Sequence, residues 1–264
     1  MSNSKDSIFR TFLVAFLTCA ICSVFVAGAA ILLRPIQEKN QALFKNKNIL
    51  MACGLLESGQ RVTSEEVDKL LDEKVRVLKI DFATATLLAE GDEAKKYDER
   101  LAAKTSGQSK EIAGSPYNVG ISARGKAGTA YLTKDPKTGK ARIVLPIVGK
   151  GLWSVLYGFL ALDQDESGEY NTVSRLLFYA HAETAGLGGE IENPLWQAKW
   201  IGKKAYVNGL PAVTIMKGDI DDTLPCEVDG ISGATLTGNG VNGTVHYWLN
   251  EYKPFLDKFA EQEK

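Results

Sequence analysis

Apolar and polar positions divide the chain into three textures. From Thr11 to Leu33 no charged residue occurs, and Arg10 and Arg34 bracket the run. Helical at about 1.5 Å per residue, such a run crosses a hydrocarbon core of roughly 30 Å. It is too long for the apolar region of a cleaved signal, and Ile31-Leu32-Leu33 continue it past the small residues Ala27-Gly28-Ala29, so a retained anchor is expected. Ala27, Gly28, Ala29 and Ala30 allow close approach of a second membrane helix.

The next segment is charged. Residues 34 to 56 read as a juxtamembrane helix. Within 57–115, rich in Glu, Asp and Lys, Ser64-Glu65-Glu66-Val67 followed by Leu70-Leu71 predicts a capped amphipathic helix, and the remaining charges read as a solvated face.

From about 117 short apolar runs take over. Tyr131-Leu132-Thr133 and Ala141 to Val148 flank Asp135-Pro136-Lys137-Thr138-Gly139-Lys140, a hairpin with Pro and Gly turn chemistry. Leu156–Leu162, Leu176–Ala182 and Ala212–Met216 read as buried strands. Val241, Val245, Trp248, Leu249, Tyr252, Leu256 and Phe259 are spaced as one helical face, read as core, with Pro254 expected to kink that helix or begin another. The pattern predicts an α+β fold: an N-terminal tail (1–10), a transmembrane helix (11–33), a juxtamembrane and charged helical part (34–116), and a mixed α/β domain core (117–264).

Composition narrows the function. A net charge of -1 leaves no electrostatic footprint for nucleic acid, so no nucleic-acid partner is expected. Two histidines, His181 and His246, argue against a His-rich metal site. Cys19 and Cys22 form a C-x-x-C inside the apolar run, where they read as small packing residues; Cys53 and Cys226 could pair in an oxidising compartment, and the sequence leaves that open. Lys5 and Arg10 precede the span while Arg34, Lys39, Lys45 and Lys47 follow it. A plain count therefore favours a cytoplasmic C-terminal side, a bias that large translocated domains weaken.

The candidate chemistry lies in Asp229-Gly230-Ile231-Ser232-Gly233-Ala234-Thr235-Leu236-Thr237. Asp229-Gly230 makes a turn, Gly233 permits close approach or positive φ, and a helix follows. Hydroxyls in a small-residue loop ahead of a helix make a phosphate seat, because helix N-termini present free N–H groups. Two more segments stand out. His181-Ala182-Glu183-Thr184-Ala185-Gly186-Leu187-Gly188 reads as a Gly-rich turn capped by Glu and Thr, and Gly149-Lys150-Gly151-Leu152-Trp153 carries a tryptophan that fits either a core or a stacking role.

Together these segments resemble the FMN-binding domain family. Asp229-x-x-Ser232-Gly233-Ala234-Thr235 matches its D-x-x-[ST]-G-A-T flavinylation motif. Residues 181–188 match H-x-E-T-P-G-L-G, with Ala185 in place of proline, and residues 149–153 match G-x-G-L-W. The resemblance implies FMN held covalently by a phosphoester to Thr235, made from FAD by a separate magnesium-dependent flavin transferase. Asp229, Ser232, Gly233, Ala234 and Leu236 belong to the attachment loop. Glu183, Thr184 and Leu187 border the ring, with Thr184 bonding its edge and Leu187 packing on its face, and Trp153 stacks nearby. Length and Glu192-Asn193-Pro194-Leu195-Trp196 are most similar to C subunits of sodium-translocating NADH:quinone reductases. The G subunits of Rnf-type complexes are related but typically shorter ahead of Gly151. The resemblance thus implies an electron-relay subunit that is not catalytic alone. It would work with the other subunits of the complex, be anchored in the inner membrane with its domain on the periplasmic side, and leave NADH and quinone to those other subunits. A third reading is an anchored extracytoplasmic binding module without flavin.

Overall fold

The computed structural model describes residues 8–218, 220 and 223–262. Residues 1–7, most of the expected tail and including Lys5, lie outside them. The chain divides into two compact units, 1–45 and 46–264, each taken by itself.

The first unit is helical. Helix α1 (Ile8–Cys53) runs 46 residues with Pro35 inside it. Its apolar stretch has a mean hydropathy of 2.5 and none of that window is buried in protein, as a helix facing lipid requires. Pro35 follows the stretch directly, yet the helix continues, so the juxtamembrane part belongs to the same element. Cys19 and Cys22 are exposed along it.

In the second unit α1 ends at Cys53 and α2 (Ser64–Lys74) follows. Its cap is Thr63, not Ser64: the Thr63 hydroxyl accepts the Glu66 N–H while the Glu66 carboxylate accepts the Thr63 N–H at 2.8 Å, a reciprocal capping box. Next come β1 (Arg76–Asp81), β2 (Thr86–Glu90), the short helices α3 (Asp92–Lys95) and α4 (Glu99–Lys104), and β3 (Ser109–Glu111). The expected helical, solvated 57–115 region therefore contains two strands of the main sheet. Charges on their outer positions conceal Leu78 and Ile80, both fully buried.

After β4 (Ala123–Gly125) come four long strands: β5 (Ala127–Lys134), β6 (Ala141–Lys150), β7 (Val155–Gln164) and β8 (Tyr170–Ala180). They form the hairpin and buried strands that the pattern predicts. The sheet order is β2-β1-β5-β6-β7-β8, antiparallel at every pairing. A 3-10 turn (Gly188–Glu192) and α5 (Pro194–Ala198) lead through β9 (Tyr206–Val207) and β10 (Leu210–Pro211) to the parallel pair β11 (Thr214–Met216) and β12 (Glu227–Asp229). Helix α6 (Thr235–Gln262) closes the fold.

Helix α6 packs on the sheet through its aromatic stripe. The Trp248 indole donates to the Val148 carbonyl at 2.7 Å and the Tyr252 hydroxyl donates to the Thr129 carbonyl at 3.0 Å. Val241, Val245, Trp248, Tyr252 and Phe259 join Leu78, Ile143, Leu145 and Ile147 in one core. The stripe is core, and Pro254 does not divide the helix. On the alternate positions of β6, Arg142 bonds Asp163 through Nε at 2.6 Å and Nη2 at 2.9 Å and donates to the Cys53 carbonyl at 3.1 Å, so the end of α1 is tied to the sheet. Cys53 and Cys226 are both free thiols, and Cys53 is buried.

Candidate functional site

The sheet register brings two of the three marked segments together. Lys150 pairs with Val155, which makes Gly151–Ser154 the connection from β6 to β7, and Tyr157 pairs with Ala180, which sets residues 181–188 beside that connection. The third segment arrives as the start of α6, whose backbone crosses β6 closely. A Cβ on Gly240 would lie 2.2 Å from the Lys150 carbonyl oxygen, so no larger residue fits there without displacement.

Glu183 fastens all three. Its carboxylate accepts the N–H groups of Leu152 (3.1 Å), Trp153 (3.0 Å) and Ser154 (3.0 Å), the Ser154 hydroxyl (3.0 Å) and the Thr237 hydroxyl (2.7 Å). Only 8% of the residue is exposed. Burial pushes its pKa up, but the hydrogen bonds from Thr237, Trp153 and Ser154 outweigh that and hold it below the ordinary carboxylate value. The Glu183 oxygens thus accept five protein hydrogen bonds, and the carboxylate, which also lines the cleft described next, holds the loops together. Around it the backbone is crowded: a Cβ on Gly188 would lie 2.5 Å from Thr237 Oγ1.

Two clefts adjoin along Gly233, Ala234 and Thr235. One, of about 230 Å³, is lined by Leu152, Trp153, Thr184, Leu187, Thr235 and Leu236 among others. Its apolar side chains face solvent: Trp153 is 70% exposed, Leu236 60% and Leu187 45%. Four large apolar side chains at the mouth of one cleft are a ready seat for a flat apolar group, since burying each favours association. Trp153 is therefore a cleft residue and not a core residue. The Thr184 side chain is exposed on the rim, while its carbonyl accepts from Leu187 (3.1 Å) and Gly189 (2.9 Å) to close the turn. The other cleft, of about 460 Å³, has mixed walls: Lys217, Asp229, Ser232, Thr235 and Asn239 stand beside Ile215, Met216 and Ile231.

Thr235 opens α6 and is exposed. Gly233 takes φ +73°, the left-handed turn that only glycine adopts freely, and this swings the chain into the helix. The Gly238 N–H is bonded back to the Ala234 carbonyl at 2.9 Å, so the N–H groups ahead of it head the helix and suit an anion. Thr237, two residues on, is only 1% exposed and donates its hydroxyl to Glu183. Asp229 does not point a free carboxylate at this loop. It pairs with Lys199 Nζ at 2.5 Å, and its carbonyl accepts the Trp196 indole N–H at 2.9 Å. Lys199, Ser154 and the structural role of Thr237 are invisible to motif reading, because their partners are distant in sequence. Leu152 is signalled by the G-L-W segment.

Residues 151–250 match the family model described as FMN-binding domain. The chain is 38% identical to the C subunit of the Na(+)-translocating NADH-quinone reductase of Vibrio parahaemolyticus, over 99% of this chain and 98% of the relative. To the C subunit of Pseudomonas aeruginosa it is 40% identical, over 98% of this chain and 99% of that one. The chain belongs to the family of C subunits of the Na(+)-translocating NADH-quinone reductase. Among solved structures, NqrC of Shewanella oneidensis is similar with a TM-score of 0.72 and 27% identity, covering 86% of this chain and 99% of that one. The C-subunit structure from Parabacteroides distasonis gives 0.63 and 25%, covering 85% and 96%. The family explains why three segments far apart in sequence converge on one pair of clefts.

Proposed function

We propose that the chain is the FMN-carrying redox subunit of a membrane Na(+)-translocating NADH:quinone reductase, with the flavin phosphate esterified to the Thr235 hydroxyl. The observation that carries this reading is the position of that hydroxyl. It is exposed at the head of a 28-residue helix, where a cleft of mixed walls meets a more apolar one, while the neighbouring Thr237 hydroxyl is buried and engaged.

When bound, FMN supplies one- and two-electron redox chemistry. The chain's residues provide position and access. Leu152, Trp153, Leu187 and Leu236 would hold the ring, Thr184 would stand at its edge, and Ser232, Gly233 and Ala234 would leave room for the tether. Asp229, fixed by Lys199 and Trp196, sets the start of the loop. The cleft is shallow and open, so a covalent bond retains the cofactor where a non-covalent one would let it dissociate. The bond forms when a flavin transferase exchanges the Thr235 hydroxyl proton for the FMN phosphoryl group of FAD, with AMP leaving.

The subunit relays electrons from NADH towards quinone within a complex that exports Na+; NADH and quinone bind other subunits. Helix α1 anchors it once in the inner membrane, with the 46–264 domain on the periplasmic side. The names of the relatives favour this reading over an Rnf-type G subunit.

The test is intact mass and in-gel ultraviolet fluorescence of the denatured chain made together with the transferase. The native chain is expected to carry one FMN moiety on the peptide containing Thr235, and Thr235→Val none. A colourless native chain, or fluorescence retained in Thr235→Val, would refute the assignment.

A further inference from the structure

The main sheet splits beside α4. Strands β5 and β6 pair only between Tyr131–Lys134 and Ala141–Val144. Beyond that point Ala127–Ala130 stay with β1, while Leu145–Lys150 stay with β7. Helix α6 plugs part of the wedge. The Trp248 indole donates to the Val148 carbonyl, and the Tyr252 hydroxyl lies 3.0 Å from the Thr129 carbonyl oxygen and 3.3 Å from that of Pro146. The rest is a cavity of about 490 Å³, inside the roughly 300–1,000 Å³ range of small-molecule sites. Among the described residues it shares no lining residue with the two clefts at Thr235.

Ala103, Ile121, Val148, Val155 and Trp248 give this cavity its apolar lining. Its charged lining is mostly cationic: Arg100, Lys104, Arg124 and Lys150 against the carboxylate of Glu99. Glu99 accepts the Thr129 hydroxyl at 2.7 Å, and Arg124 is paired with Glu251. Arg100, Lys104 and Lys150 are exposed and, among the described residues, form no ion pair. Arg100 is nonetheless fixed. Its guanidinium carbon lies 3.7 Å from the centre of the Tyr157 ring, and Nη2 donates to the Tyr179 hydroxyl at 2.9 Å. A planar fork held in place, with no carboxylate of the described residues against it, is arranged to take one bidentately.

We infer that this cavity binds an amphiphilic carboxylate. Its apolar body lies against Trp248, Val148 and Val155, its head group meets Arg100, and Lys104 and Lys150 add to the positive field. This chemistry has two sources, a fatty acid drawn from the membrane or a soluble aromatic acid.

The test uses the full chain in nanodiscs of zwitterionic phosphatidylcholine. The probe is a decanoate bearing a tail diazirine, and cross-links are mapped by peptide mass spectrometry. Saturable labelling is expected on peptides containing Ala103, Ile121 or Val155, and label on the apolar stretch of α1 gives the level for probe dissolved in lipid. Excess decanoate or 2-naphthoate should compete, and decanol should not. Stronger competition by decanoate supports the membrane source, and stronger competition by 2-naphthoate the soluble one. Arg100→Gln is expected to lower cavity labelling several-fold, with Arg100→Lys in between, and Ala103→Trp to abolish it by filling the space, each with native circular dichroism. Cavity labelling no higher than that of α1, equal competition by decanol, or labelling unmoved in both Arg100→Gln and Ala103→Trp overturns the inference. Thr235 is intact in every one of these chains, so that failure leaves the flavin assignment standing.

Discussion

The hydroxyl of Thr237 donates to the carboxylate of Glu183 at 2.7 Å, across 54 residues of chain, and this bond joins the first turn of α6 to the loop after β8. Replacing Thr237 by Val removes the donor and keeps the shape. The expected cost is about 1 kcal/mol, read as a lower denaturant midpoint with unchanged slope. Covalent flavin should persist, because Thr235 is untouched. Loss of fluorescence in Thr237→Val would mean that the tether belongs to Thr237 instead.

Truncating Glu183 to Ala strands three backbone N–H groups and two hydroxyls at once. Destabilisation of about 3 kcal/mol follows from leaving buried donors unmatched, and Glu183→Gln should cost less because one acceptor oxygen remains. Chemical denaturation of the two variants measures the order; equal stabilities would contradict the fastening role.

The same carboxylate gives the loops a pH dependence. Its pKa in the folded protein lies below the ordinary value of 4.5, so it contributes stability above that value and loses it as pH falls through the folded pKa. Amide hydrogen exchange at Leu152, Trp153 and Ser154 should accelerate, relative to the intrinsic rate, once pH drops below about 4.5, and should do so less in Glu183→Gln. A native chain whose protection at these amides is flat from neutrality to well below that range would exclude the link.

Trp153 is 70% exposed, so Trp153→Ala should leave thermal stability within about 0.5 kcal/mol of native. Its effect belongs to the cofactor: flavin fluorescence in the folded, flavinylated chain should rise as the ring loses its cover. Unchanged fluorescence together with a large fall in stability would make Trp153 structural instead.

Gly188→Ala places a methyl where Thr237 Oγ1 lies 2.5 Å away. Overpacking at such a contact costs roughly 1–3 kcal/mol, and the displaced Thr237 would release Glu183. Native stability in this variant would show that the first turn of α6 yields more readily than the crowding implies.

Much of this architecture is legible in the sequence wherever one physical signal acts alone. The uncharged run of α1, the Pro–Gly hairpin between β5 and β6 and the stripe of α6 each follow a single periodicity. Strand β1 is not legible, because Arg76, Lys79 and Asp81 break up Val77, Leu78 and Ile80 without a strict period of two in a segment whose neighbours are charged, and β2 is not because most of it is exposed. At the site, Thr235 and the loop residues follow from local motifs. Glu183 lines the cleft with Trp153, Thr184 and Leu187, as the motif implies, but its bonds to Leu152, Trp153, Ser154 and Thr237 carry no local signal, because a motif gives the identity of a residue and not the direction of its side chain. Lys199, just past α5, carries no local signal, because its partner Asp229 is 30 residues away and only the fold brings the two together.

The contrast between an open Thr235 and a sealed Thr237 exists only once α6 has docked against Glu183. In an unfolded chain both alcohols are equally available, and nothing but neighbouring residue identity distinguishes them. On the proposed assignment to Thr235, maturation would therefore follow folding: the domain closes first and hides the Thr237 hydroxyl, which leaves one handle showing for a loading enzyme.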